Sequence, residues 1–356
     1  MLWKHLAAAG VVAAAILATP TVATATPAGA AVATAVPSVV YDSDMDFDDA
    51  STLALLCQED KQHHIKLRAV TVVNDGFGTR GRSLTHARAI LDQCGLSNVP
   101  IADGSDTGVN PPPPEAREMI ERVLTGALAD GSRPVPPATG SAPQLIAAAA
   151  LSSSTPVTVL ATGPLSNVAA ALRIAGVAAK ISRLYAMGGA FTVPGNLFGS
   201  TVGGFDNTQE ANMWVDPAAP ASVFGVMRRG SVRLVPLDAT SHVPITPAYV
   251  DRLGGAARTD QARLVHSIVT QPDVASLITL GGLFWWDPLT AVSMLSYVDK
   301  TGDDPVTFQP QNISVTPTGA SAGRTTVSPA GAPQNVGSTA DQAEFEQSFL
   351  DQLNGN

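Results

Sequence analysis

Apolar runs of strand length, each followed by a short polar bend and then a segment of helical pattern, recur through the first two-thirds of the chain. Val39-Val40-Tyr41 leads into a helix expected from Ala50. Leu67 to Val73 leads into Ser83 to Leu91, Pro156 to Ala161 leads into Leu165 to Leu172, and Ile181 to Met187 is a further strand. A chain that alternates in this way covers its strands with helices. The expected fold class is therefore α/β: a single domain with a mostly parallel central sheet flanked by helices, of the open Rossmann-like kind. Such sheets bind ligands beyond the carboxyl ends of their strands. The polar residues collect there: Asp42 to Asp49 after the first strand, Asn74-Asp75 after the second, Thr162-Gly163 after the third and Gly188-Gly189 after the fourth.

The first bend is the densest. Val40-Tyr41-Asp42-Ser43-Asp44-Met45-Asp46-Phe47-Asp48-Asp49 places five carboxylates in eight positions, and Ala50 to Leu56 then begins an apolar helix. Carboxylates this close repel one another and resist burial unless a cation neutralises them. The segment reads as the oxygen cage of a hard divalent metal, with a solvated acidic loop as the alternative. Two familiar acidic motifs do not fit. An EF-hand loop beginning at Asp42 needs Gly sixth and Glu twelfth, where the chain has Phe47 and Leu53. The haloacid-dehalogenase pattern needs Thr or Val two residues after Asp44, where Asp46 stands.

The N-terminus has the layout of a secretory signal. Lys4 and His5 precede an apolar stretch, Leu6 to Leu17, too short to span a bilayer, and Ala23-Thr24-Ala25 is a cleavage site, with Ala28-Gly29-Ala30 as a second. Residues 1–25 are read as a signal peptide, 26–37 as a flexible leader and 38–356 as the catalytic domain, so the protein is expected to be secreted or held at the cell envelope. No later stretch resembles a membrane span. Roughly 320 residues remain, enough for one large α/β core. A net charge of −9, 14% charged residues and no basic cluster argue against a nucleic-acid polymer and suit a small neutral partner. Cys57 and Cys94 each lie near the end of an expected helix; they can pair in an oxidising compartment or remain buried thiols. Pro111 to Pro114 is expected as an exposed rigid turn, Gly195 to Asp206 as a mobile loop over the rim, and 305–327 as irregular strands before a helix from Asp341 to Leu353.

The D-x-D-x-x-x-D-D pattern from Asp42 to Asp49 is joined, in order, by Thr162-Gly163-Pro164-Leu165-Ser166-Asn167, Met187-Gly188-Gly189-Ala190, Gly195-Asn196, Glu210-Ala211-Asn212 leading to Asp216-Pro217, and Trp286-Asp287-Pro288-Leu289-Thr290-Ala291. Together these motifs resemble the nucleoside hydrolases of the inosine-uridine type, which cleave the N-glycosidic bond of ribonucleosides. The resemblance covers 39–295. Trp286-Asp287 and the run from Gly195 to Phe198 look most like the purine-preferring inosine-adenosine-guanosine branch.

Carried over residue by residue, the resemblance implies Ca²⁺ held by Asp44, Asp49, the Thr162 carbonyl and Asp287, with only the carbonyl of Thr162 used. It implies Asp48 as the base that takes a proton from water, and ribose contacts at Asn196, Glu210 and Asn212, with Asp46, Asn74 and Asp75 nearby and Trp286 against the base. Asp42 is read as structural, bonded to amides of its own loop, and Trp285 as a core aromatic. Two positions depart from the family. Asp46 stands where Gly or Asn is usual, and Ala116 stands where the purine-preferring branch places a second stacking tryptophan. The resemblance thus implies a secreted calcium-dependent hydrolase of ribonucleosides, purine ones by preference. The alternatives are a calcium-stabilised nucleoside-binding protein without turnover and a calcium-dependent phosphoesterase. The expected partner is a small nucleoside, and a homo-oligomer is compatible with the sequence.

Overall fold

Nine strands form one sheet: β1 (Ser38–Ser43), β2 (Lys66–Val72), β3 (Ile101–Asp103), β4 (Val157–Ala161), β5 (Ile181–Met187), β6 (Val232–Val235), β7 (Val306–Val315), β8 (Thr325–Val327) and β9 (Ala332–Ala340). Their order is β3-β2-β1-β4-β5-β6-β9-β7-β8. The structure is a computed structural model and describes residues 36–106, 108–128, 140–197, 207–298 and 303–356. The expected signal peptide, most of the leader and residues 198–206 of the expected rim loop lie outside the described residues. Residues from Ala35 to Asn356 form one compact unit. No helix among the described residues is long and apolar enough to cross a membrane.

From β3 to β9 every neighbouring pair is parallel. The chain leaves β1 toward β2 on one side and later returns to β4 on the other, so the sheet reverses direction at β1 and opens a crevice beyond its carboxyl end. Helices bury both faces. Tyr41, Leu53, Leu56, Trp285 and Phe349 belong to the core on one face, and Val40, Val159, Val168 and Phe224 to that on the other. Continuous burial along β1 and β4 matches the apolar runs that announced them.

The region expected as irregular is ordered. β7 runs antiparallel to β8 and β9, and β9 docks parallel on β6. Its Thr, Pro and Gly content hides the strand pattern because only part of each strand faces the core: Ile313, Val315 and Val336 are buried and many neighbours are not. Thr325 makes this extension a support for the rim, its hydroxyl bonding both the amide and the carbonyl of Ala190 at 2.9 and 2.8 Å. Of the four consecutive prolines, Pro114 is already the first residue of the helix Pro114–Ala127, a position that suits a residue without an N–H.

Cys57, in the helix Phe47–Lys61, and Cys94, capping the helix Arg82–Gln93, form a disulfide with Cα atoms 6.0 Å apart. It closes a loop of 37 residues, which in the chain-entropy account stabilises the fold by about 4 kcal/mol. Replacing both cysteines with alanine is expected to lower the unfolding free energy by roughly 2–4 kcal/mol, read by denaturant melts. An unchanged melt on reduction of the native protein would show that the bond contributes nothing.

Candidate functional site

The turn between β1 and the helix Phe47–Lys61 builds the acidic end of the site. The helix begins three residues earlier than its apolar pattern suggests, because Asp46 caps it: its carboxylate accepts from Phe47 N at 2.5 Å, and Asp49 Oδ2 accepts from Asp46 N at 2.9 Å. The departure to aspartate at position 46 therefore has a local role. Asp48 and Asp49 fall in the first helical turn, where the helix dipole favours carboxylates. Successive helical residues point about 100° apart. Asp48 accordingly lines the cavity, while Asp49 turns inward against β1 and β4.

Met45, between two of the carboxylates, has φ of 60°. A left-handed non-glycine residue costs about 1–3 kcal/mol, and full burial of its side chain recovers about 1.5–3 kcal/mol. The turn packs so tightly that a Cβ on Gly76 would overlap Asp44 Oδ2. Asp44 Oδ2 also accepts from Phe77 N at 2.7 Å.

Thr162 follows β4, its amide bonded to the carbonyl of Asp42 at 2.9 Å, which sets it beside the acidic turn. Asp287 enters from the first turn of the helix Trp286–Val298, and its amide donates to Asp48 Oδ2 at 3.2 Å. Glu210 caps the helix Ala211–Val215 and accepts from the amides of Gly189, Asn212 and Met213 at 2.9, 2.9 and 3.1 Å. Asn212 Nδ2 donates to the Thr162 carbonyl at 2.7 Å, and Asn196 Oδ1 accepts from Ala211 N at 2.9 Å.

Asp44, Asp46, Asp48, Thr162, Asn196, Glu210, Asn212, Trp286 and Asp287 line one cavity of about 340 Å³, a size suited to a small organic ligand. Asp49 does not line it: its carboxylate is bonded by Tyr41, Thr162 and Asp46 N. Asn74 and Asp75 do not line it: Asn74 Nδ2 donates to Asp103 Oδ1 at 3.1 Å, and Asp75 Oδ2 accepts from Ser166 Oγ at 2.7 Å. Asp42 is structural as expected, but its partners are Thr71 Oγ1 and Asn167 Nδ2, at 2.6 and 2.9 Å, and not amides of its own loop. Burial pushes its carboxyl up to about 7.

The two adjacent tryptophans separate. Trp285 is fully buried among Tyr249, Phe345 and Phe349. Trp286 borders the cavity, its ring 6.4 Å from Phe47 and 5.9 Å from Phe284. Ala116 contributes nothing to the lining; Met119 and Ile120 of the same helix do, with Phe77, Leu277 and Leu283. These apolar residues carry no chemical signature in sequence, and their grouping comes from the fold.

Burial raises the carboxyls of Asp44, Asp48 and Asp287 well above the usual range, and repulsion from neighbouring carboxylates raises them further. The charge of Asp49 is the largest of these repulsions on Asp44. None of the leading influences on these three groups is a basic side chain. As they stand, several of the oxygens are bonded to protein donors, and among the described residues no three acidic, His or Cys side chains close to metal-ligand spacing. The donor set is nonetheless that of a hard cation: carboxylates and a carbonyl, all oxygen, with excess negative charge held out of water.

Missed in the sequence was Tyr41. Its buried phenol bonds Asp49 Oδ1 at 2.9 Å and is itself 3.0 Å from the Thr162 hydroxyl. The available signal was one hydroxyl-bearing ring between the Val39-Val40 pair and the acidic bend.

Fold and site together define an α/β protein with a cluster of carboxylates beyond the carboxyl ends of its parallel strands, beside a cavity lined by both polar and apolar side chains. A family model for the inosine-uridine preferring nucleoside hydrolases matches residues 39–347, and the chain belongs to that family. It is 30% identical over 227 residues to the pyrimidine-specific ribonucleoside hydrolase RihA of Shewanella sp. strain MR-4, covering 60% of this chain and 63% of that protein. It thus spans less than two-thirds of the length of that relative. Among solved structures, an inosine-uridine preferring nucleoside hydrolase from Bacillus anthracis superposes with a TM-score of 0.76 at 26% identity, over 90% of this chain and 100% of that one. A purine-preferring ribonucleoside hydrolase from Gardnerella vaginalis shares the fold, with a TM-score of 0.68 at 22% identity, over 89% of this chain and 98% of that one.

Proposed function

We propose that the chain is an exported, calcium-dependent hydrolase that cleaves the N-glycosidic bond of ribonucleosides, purine ones by preference, to ribose and free base. The observation that carries this reading is the convergence of Asp44, Asp48, Thr162 and Asp287 on one cavity that apolar side chains also line. Asp44, Asp49, the Thr162 carbonyl and Asp287 would hold the cation, which when bound would orient the ribose diol and acidify a water. Asp48 accepts the proton of the attacking water, and its raised proton affinity suits that task. Asn196, Glu210 and Asn212 face the sugar. The apolar lining residues receive the base and keep water from the ribosyl cation that forms as the glycosidic bond breaks.

Export is supported by the signal-like N-terminus and by the disulfide, which persists in an oxidising compartment. The phosphoesterase alternative is weakened because no Lys, Arg or His lines the cavity among the described residues. A reducing-sugar assay across the common nucleosides separates turnover from mere binding. No release of ribose from any of them would overturn the hydrolase reading.

Purine preference rests on Trp286, the residue before Asp287, where a stacked indole favours a protonated, cationic purine by about 0.5–2 kcal/mol. RihA relatives are pyrimidine-specific, so base choice is the sharpest point of test. The expected result is a higher kcat/KM for inosine than for uridine, with Trp286→Ala lowering kcat on inosine by about 2- to 30-fold. With Ala116 supplying no second stacking tryptophan, the preference should be modest. If uridine is the better substrate, the purine reading fails.

A further inference from the structure

Thr162 enters the proposed cation site through its backbone carbonyl, yet its side chain also points at a ligand. Its hydroxyl lies 2.5 Å from Asp49 Oδ1 and 3.0 Å from the Tyr41 phenol oxygen. The phenol in turn lies 2.9 Å from the same Oδ1 and 3.1 Å from the Asp49 carbonyl. Each hydroxyl has one proton to donate, and both point to Asp49 Oδ1. Asp49 Oδ1 therefore accepts both, while Oδ2 accepts from Asp46 N at 2.9 Å. Three donors from three parts of the chain, β1, the bend after β4 and the helix cap, fix the plane of one carboxylate. Tyr41 is 0% exposed and Thr162 1% exposed, so water does not compete for these bonds.

We infer that the Tyr41 phenol and the Thr162 hydroxyl are positioning residues that set the Asp49 carboxylate for the cation, so that cation affinity runs through two buried hydroxyls. The inference rests on the calcium reading of the site. Partners of this kind orient a ligand and are worth about 10- to 100-fold in metal affinity. Thr162 then couples two ligands, since one residue supplies a carbonyl oxygen and holds the neighbouring carboxylate.

The test is calcium titration calorimetry on the full chain after chelator stripping, with circular dichroism to verify folding. Tyr41→Phe removes one oxygen from a buried ring, and Thr162→Val removes the hydroxyl while leaving the carbonyl. Each is expected to weaken calcium binding by about 10- to 100-fold, and Thr162→Ser should restore most of the affinity lost in Thr162→Val. A purely structural role would instead lower the stability of the stripped protein and leave its calcium affinity alone. Should one variant fail to fold, the other still reads the effect. Wild-type affinity in both folded variants overturns the inference and leaves the calcium reading standing. No calcium binding by the wild type overturns both.

Discussion

Asp48→Asn is expected to lower kcat for ribose release by about 10²- to 10⁴-fold, the usual worth of a positioned general base, while nucleoside binding survives. Asparagine keeps the shape of the side chain and can still accept the bond from Asp287 N, but it cannot take a proton from water. Asp48 is held up in proton affinity by burial first, then by the charges of Asp46 and Asp49. The wild type should therefore lose kcat/KM on the acid side as Asp48 becomes protonated, and the variant should lose the share of that limb that Asp48 contributes while keeping the share set by protonation of the cation ligands. Near-wild-type turnover by Asp48→Asn would move the base elsewhere. Asp46, which also lines the cavity, is next in line, although it is already engaged as the cap of Phe47 N.

Chelation, or removal of any one of Asp44, Asp49 and Asp287, should cost about 10²-fold or more in activity, since a bound cation contributes several kcal/mol. Loss of one carboxylate weakens the cage, and loss of the cation leaves the remaining charges repelling one another in a buried place. Stability provides a second readout. Carboxyls titrate near 4 in an unfolded chain, whereas burial and then mutual repulsion raise Asp44 and Asp287 in the fold, and desolvation brings Asp46 up to about 7. In the stripped protein the contribution of these groups is greatest below their unfolded values and is lost as pH rises through the folded ones. The gain in melting temperature on adding calcium should therefore widen from pH 5 to pH 8. Full activity in excess EGTA, together with a melt indifferent to calcium, would remove the metal from the mechanism.

Much of this site was legible without coordinates because its chemistry is local. Five carboxylates in one bend mark a segment that resists burial without a compensating charge, and apolar runs followed by helical patterns place that bend at the carboxyl end of a parallel strand. Trp285 and Trp286 could be assigned opposite fates because the second stands directly beside a candidate ligand, Asp287, while the first is an ordinary core aromatic. The antiparallel strands β7 to β9 were less legible, since only a minority of their residues face the core and the alternation is lost among Thr, Pro and Gly.

Other features depend on distance in space between residues remote in sequence. Tyr41 and Thr162, 121 positions apart, meet at Asp49 only because β1 and β4 are neighbours. The same adjacency lets Asn167 hold Asp42, and a fold-wide convergence brings Met119, Leu277 and Leu283 to one cavity. Asn74 and Asp75, placed at the rim by sequence, are drawn to Asp103 and Ser166 instead of to the cavity. Sequence by itself determined the chemical character of each segment, because charge, hydropathy and turn chemistry are properties of neighbours along the chain. Tertiary structure decided which side chain faces ligand and which holds another in place, because those roles are set by strand order and by the angle at which each helix starts.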